Sequence, residues 1–336
     1  MALLNSYKKI IIRTPNWLGD LMISTAFVRS VLQAFPDSRV DLIVKSGFES
    51  IPLHHRGTLL PYDKSKQDAR AFGKTLRDEE YDLAFVLPPS LSSAVMMSAA
   101  KIKPRVGHKG SLRNFFLKPS VAYSQQHRTR HLAEEFHELL EYVTELKTEI
   151  CPPGLDINEE WIQSRVKTLK IKLPDKYTLF APGAIYGPAK QWPIGHFKAL
   201  AQKLKARGSN VVVMGTSKDY DSGEIICEGN SNCQNLCGQT SLNELIALMA
   251  RSDLLISNDS GAMHVMAALQ KPQIAIFGST SSVWTGPLNQ KAELVQIPIE
   301  CSPCFSRTCK FDHYNCLHQV SPEVVLKKFE SLQSYI

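Results

Sequence analysis

The chain has 336 residues, a length that suits two domains better than a single core. Hydrophobic residues make up 43% and charged residues 21%, the balance of a globular protein, and no run reaches the roughly 18 uninterrupted apolar residues of a membrane-spanning helix. The net charge of +7 suits an anionic membrane surface or a phosphorylated substrate, but no basic run is interleaved with aromatics, which argues against nucleic acid.

The start, Met1 to Lys9, places charges after a very short apolar stretch, the reverse of a secretory signal, and predicts a cytoplasmic protein. Lys9 to Arg13 then reads as a strand. A polar loop from Thr14 to Asp20 precedes apolar positions at helical spacing from Leu21 to Phe35. Further strands are expected at Val40 to Val44 and Tyr81 to Leu87, and helices at Ser92 to Ala100 and His131 to Leu146. Cys151-Pro152-Pro153-Gly154 cannot continue a helix, so a domain boundary is expected between about 150 and 175. A helix over Asn158 to Leu169 leads into the second half. Its strands are Tyr177 to Ala181, Asn210 to Met214, Leu254 to Ser257 and Gln273 to Phe277. Helices are read at Gly195 to Arg207, Asp219 to Cys227, Ser241 to Arg251 and Ala262 to Leu269, with a last one from Ser321. Short apolar strands alternating with helices predict an α/β protein of two doubly wound domains, although no sequence repeat is visible. The domains are taken as 1–160 and 161–336.

Ligands of open α/β sheets bind beyond the carboxyl ends of the strands, so the loops that follow strands carry the chemistry. In Pro15-Asn16-Trp17-Leu18-Gly19-Asp20, Gly19 suits a tight turn. Asp20 reads either as a helix cap or as a carboxylate able to take a proton from a hydroxyl. The loop from Pro182 to Pro193 holds a lone Lys190, either a solvated lysine or a clamp on a diphosphate; Trp192-Pro193 reads as core packing and a helix start. Asn258-Asp259-Ser260-Gly261-Ala262-Met263-His264 joins a buried strand to a helix whose free N–H groups would make an anion site. His264 alone reads more simply as a packing residue. The first loop has no G-x-G-x-x-G fingerprint, which weakens a dehydrogenase reading.

These loops, with Phe85-Val86-Leu87-Pro88-Pro89-Ser90, resemble those of the ADP-heptose:lipopolysaccharide heptosyltransferases, in particular the heptosyltransferase II branch. The matching stretches are spread over nearly the whole chain. The resemblance implies two facing Rossmann-like domains of the GT-B glycosyltransferase type, with the acceptor on the first and the donor nucleotide on the second. It implies inverting transfer of heptose from ADP-L-glycero-D-manno-heptose onto the first heptose of the lipopolysaccharide inner core. On that basis Asp20 is the general base, Lys190 a contact to the departing ADP, Asp259 a carboxylate near the donor sugar, and Ser260, Gly261 and His264 parts of the donor loop. No metal or other cofactor is expected in the chemistry. A cytoplasmic enzyme of a Gram-negative cell, lying against the inner membrane where a lipid-anchored acceptor sits, completes the expectation. A related transferase using another heptose position or sugar nucleotide is the alternative within enzymes.

Eight cysteines are expected to be reduced in such a protein. Four of them, Cys301, Cys304, Cys309 and Cys316, crowd into a segment from 301 to 318, with His313 and His318 in or beside it. They are either partly buried thiols packing a loop beneath the last helix, read as 321–336, or ligands of zinc or an iron–sulfur cluster. The spacing lacks two Cys-x2-Cys pairs, and the resemblance assigns the run no role. A metal- or redox-sensing protein on the same frame is the alternative outside enzymes; such a protein has no need of both Asp20 and Lys190.

Overall fold

The structure, a computed structural model, describes residues 7–335; most of the stretch from Met1 to Lys9, on which the expectation of no secretory signal rests, lies outside the described residues. The chain forms two compact units that meet in sequence at Asp156 and Ile157.

The first unit contains β1 (Lys9–Arg13), α1 (Leu18–Ala34), β2 (Arg39–Lys45), β3 (Leu59–Tyr62), α2 (Ala69–Thr75), β4 (Leu83–Val86), α3 (Leu91–Ala99), β5 (Arg105–His108), β6 (Ser120–Val121) and α4 (Leu132–Thr144). Its strands form one parallel sheet in the order β3-β2-β1-β4-β5-β6. Ile10, Ile11 and Ile12 in the middle strand are each 0% exposed, because helices cover both faces. That is why β1 reads as an unbroken apolar run instead of alternating.

The second unit contains α5 (Glu159–Thr168), β7 (Thr178–Ala181), α6 (Ile194–Lys205), β8 (Val211–Val213), α7 (Tyr220–Cys227), β9 (Cys233–Asn235), α8 (Leu242–Arg251), β10 (Leu254–Asn258), α9 (Gly261–Ala268), β11 (Gln273–Phe277), α10 (Ser282–Thr285), β12 (Ala292–Gln296), α11 (Asn315–His318) and α12 (Pro322–Ser331). Its sheet is also parallel, in the order β12-β11-β10-β7-β8-β9. Counted from each unit's first strand, the two orders are the same. In both, the chain winds outward from the first strand in one direction, returns to its other side, and winds outward again. The place of reversal lies between β1 and β4 in one unit and between β7 and β10 in the other. That is where a doubly wound sheet opens a crevice for ligands.

Local chemistry explains the helix starts. Ser241 and Glu244 form a reciprocal capping box on α8, and Ser321 caps α12 with Pro322 in its first turn. The C-terminal helix is shorter than expected: α12 ends at Ser331, and Gln333–Tyr335 form a 3-10 turn. The strands absent from the sequence reading are short or polar. β3 carries Pro61, which an edge strand tolerates. β5 is Arg-Val-Gly-His yet fully buried, its Arg105 donating to Ile102 O at 2.9 Å. The expectation of uniformly reduced thiols is corrected. The turn from α7 to β9 brings the Cα atoms of Cys227 and Cys233 within 5.0 Å, and the two are joined by a disulfide.

Candidate active site

Because β7 and β10 are hydrogen-bonded neighbours, with Ala181 opposite Ser257, the loops that leave their carboxyl ends start side by side. Asn258 fastens them together. Its Nδ2 donates to Pro182 O at 2.6 Å, and its Oδ1 accepts from Trp192 N at 2.9 Å, so one side chain holds both ends of the long loop after β7. Trp192 anchors that loop from beneath: fully buried, it donates from Nε1 to Val320 O at 2.8 Å and packs edge-on against Phe197. Pro193 is the residue before α6, as expected. Asn258→Ala would leave a buried N–H and a buried carbonyl unpaired, and is expected to cost about 2 kcal/mol in urea unfolding. A loss below about 0.5 kcal/mol would show that the loop is held by other contacts.

Lys190 leaves this loop two residues before Trp192 and is drawn inward. Its Nζ lies 2.5 Å from Asp259 Oδ2, with side-chain exposures of 13% and 3%. Thr280 Oγ1 donates to the same oxygen at 2.5 Å. Lys190 Nζ also sits 4.7 Å from the centre of the Tyr186 ring, and the Arg307 guanidinium lies 5.3 Å from the same centre. Tyr186 is fixed by its hydroxyl, which donates to Phe305 O at 2.5 Å. Two cations thus flank the Tyr186 ring, and only Lys190 pairs with the Asp259 carboxylate, a balance that leaves positive charge for an anionic ligand. The solvated-lysine reading of Lys190 does not hold.

Beside this cluster α9 begins. Ser260 occupies the capping position with extended backbone (φ −148°, ψ 175°), and its side chain makes no capping hydrogen bond. Gly261 is the first helical residue. The N–H groups of this first turn have no intrahelical acceptor and carry the positive end of the helix dipole. Lys190, Asp259, Ser260 and Gly261 therefore share one end of one sheet. His264 lies a turn further into α9 and is 5% exposed, so its place is inside the helix packing. Thr280, Tyr186 and Arg307 were missed in the sequence. Thr280 had a findable signal, because it follows the carboxyl end of β11.

In the first unit the loop after β1 is held by a buried guanidinium. Arg13 donates to Thr14 O at 2.6 Å and to Asn16 Oδ1 at 2.5 Å, while Thr14 Oγ1 donates to Ile43 O at 2.9 Å. Burial pushes the Arg13 pKa down to about 10, so it stays charged at neutral pH. Two expectations change here. Gly19 lies within α1 and makes no tight turn, and Asp20 is the third residue of that helix, not its cap; Trp17 takes the capping position, without a side-chain bond. Asp20 is partly exposed there. Ser90, at the end of the loop after β4, caps α3 by accepting from Ser93 N at 3.3 Å. Among the described residues no three His, Cys, Asp or Glu side chains already stand in a metal-coordinating arrangement.

Residues 69–315 match the family model described as glycosyltransferase family 9 (heptosyltransferase). The chain is 29% identical to lipopolysaccharide heptosyltransferase 2 of Salmonella typhimurium, over 97% of this chain and 99% of that one. It is 31% identical to lipooligosaccharide heptosyltransferase 2 of Haemophilus influenzae, over 96% of this chain and 99% of the relative. Among solved structures it is similar to the ADP-heptose lipopolysaccharide heptosyltransferase II of Escherichia coli, with a TM-score of 0.83 and 28% identity, covering 96% of this chain and 98% of the other. With the matched region taking in strands of both sheets and the Lys190 and Asp259 loops alike, the chain belongs to glycosyltransferase family 9, the heptosyltransferases.

Proposed function

We propose that this enzyme transfers heptose from ADP-L-glycero-D-manno-heptose to the first heptose of the lipopolysaccharide inner core, with inversion at the anomeric carbon. The observation that carries the donor half is the Lys190–Asp259–Thr280 cluster beside the start of α9. The full-length likeness to relatives named heptosyltransferase 2 supports the acceptor half.

In the proposed step an acceptor hydroxyl oxygen bonds to the anomeric carbon as the bond to ADP breaks. The hydroxyl proton passes to the Asp20 carboxylate. Charge gathers on the β-phosphate of ADP, where Lys190 and the N–H groups at Ser260 and Gly261 stabilise it. Asp259 and Thr280 hold the Lys190 ammonium in place before the donor arrives, so little reorganisation is needed as charge develops. Alignment of the two sugars contributes alongside these groups. Among the described residues no helix is long and apolar enough to cross a membrane. The net charge of +7 favours a peripheral seat on the anionic cytoplasmic face of the inner membrane.

The test is a set of lipopolysaccharide acceptors of graded truncation, offered with ADP-heptose or with UDP-sugars. Transfer from ADP-heptose alone, and only to an acceptor already bearing one heptose, is the expected result; transfer to a heptose-free acceptor would reject the assignment. Protein groups take the role a metal plays in other transferases, so turnover is expected to persist through brief treatment with EDTA. Loss of turnover with unchanged fold, restored by Mg²⁺, would place a divalent ion in the chemistry.

A further inference from the structure

The segment from 301 to 316 forms the wall behind the Lys190 loop. Ala189 N donates to Arg307 O at 3.0 Å, Phe305 N to Ser279 O at 2.7 Å, and Ser302 Oγ to Gly278 O at 2.7 Å. The approach is closest at Gly187 (φ +148°), where a Cβ would stand 2.5 Å from Arg307 O. Yet residues 297–314 contain no helix or strand. A stretch this long, placed against a functional loop, needs some other restraint.

Its four cysteines are free thiols, and all four line a single cavity of about 30 Å³. Ser279 lies on the same wall, 1% exposed, and its Oγ has no hydrogen-bond partner among the described residues. Asp312 and Tyr314 adopt left-handed backbone (φ 57° and 46°), a conformation that turns successive N–H groups to one side. The backbone N–H groups of Tyr314, Phe311, His313 and Asp312 are turned toward the Cys309 sulfur. Cys316 is buried on the same cavity as Cys301, Cys304 and Cys309. Four sulfurs around one small cavity are a donor set suited to a thiophilic cation. His313 also lines it, but its Nδ1 accepts from Asn315 N at 3.0 Å.

We propose that the thiolates of Cys301, Cys304, Cys309 and Cys316, which share one cavity without standing in coordinating positions, turn inward to bind one thiophilic ion of the Zn²⁺ class, clasping this segment against the Lys190 loop. The cavity is small, which fits one ion better than a multi-iron cluster. Four sulfur ligands in a closed tetrahedron describe a structural site with no open position for substrate. The sulfurs move inward by χ1 rotation on binding, and the thiol protons leave to solvent. Ser279 Oγ–H donates to a sulfur, and Lys310 on the same wall offsets part of the negative charge.

Elemental analysis of protein purified without chelator is expected to give about one zinc or iron per chain. The second measurement does not depend on turnover. Metal-stripped wild type titrated with Co²⁺ should develop the intense visible bands of tetrahedral cobalt and a sulfur-to-cobalt band in the near ultraviolet. Cys304→Ser and Cys309→Ser should each lose the sulfur-to-cobalt band. Cys151→Ala, whose thiol lies in the other unit and donates to Gln33 Oε1 at 3.1 Å, should keep it. Either metal at stoichiometry, with the cobalt bands, supports the site. Metal far below stoichiometry together with a cobalt spectrum lacking the sulfur band in wild type would overturn it, as would bands unchanged in both serine variants.

Discussion

Replacing Asp20 by alanine is expected to cut turnover on the order of 10²–10⁴-fold while leaving ADP-heptose affinity nearly unchanged. The reason is its place in the first turn of α1, in the unit that does not contain the Lys190–Asp259 cluster. A group that only accepts the hydroxyl proton acts in the transition state and contributes little to holding the donor. Asp20→Asn keeps the shape and removes the basicity, so it should fall as far as alanine. If either variant retained more than about a tenth of wild-type turnover, the proton would have to leave by another route. Calorimetry with ADP-heptose separates this outcome from unfolding, because an unfolded variant loses the donor as well.

Lys190→Ala should behave differently in two respects. First, it weakens ADP and ADP-heptose binding by roughly 10²-fold and also slows transfer, since a lysine–phosphate contact acts in the ground state and strengthens as charge reaches the leaving group. Second, it leaves the buried Asp259 carboxylate facing Thr280 without a cation, which is expected to cost about 3 kcal/mol of unfolding free energy. The double variant Lys190→Ala, Asp259→Asn removes the orphaned charge. It should recover most of the stability and none of the affinity. Unchanged ADP affinity in the single variant would take Lys190 out of the donor site. Recovery of affinity in the double variant would assign the loss to Asp259 alone.

Much of the site was legible because parallel sheets expose their function in one place. Once a short apolar run is read as a strand, the residues after its carboxyl end become candidates, and Asp20, Lys190 and the 258–264 stretch are candidates of that kind. What could not be read is the company each residue keeps. Lys190 alone is an ordinary lysine. Its pairing with Asp259 depends on β7 and β10 being neighbours, and these are separated in sequence by β8 and β9. Tyr186 and Arg307 meet across an even longer span of chain. Arg13, read simply as the end of a strand, proved to be the brace of the Asp20 loop, because a fully buried guanidinium must find carbonyl and amide acceptors nearby.

The amino-acid sequence by itself determined the α/β class and the placement of most strands and helices. Strands covered on both faces must be apolar throughout, and helices begin where serine, asparagine or aspartate can meet free N–H groups. It also carried the heptosyltransferase resemblance, because a loop that must seat a ligand constrains residue types over a long contiguous stretch. Only the tertiary structure decided the strand order of each sheet, shared by two units with no repeat between them, since pairing is chosen by the packing of both faces. It placed polar strands such as β5, where burial is made tolerable by hydrogen bonds that no local pattern encodes. It joined Cys227 to Cys233 and gathered the other C-terminal thiols around one cavity, because the fate of a cysteine depends on which sulfurs the fold brings within reach.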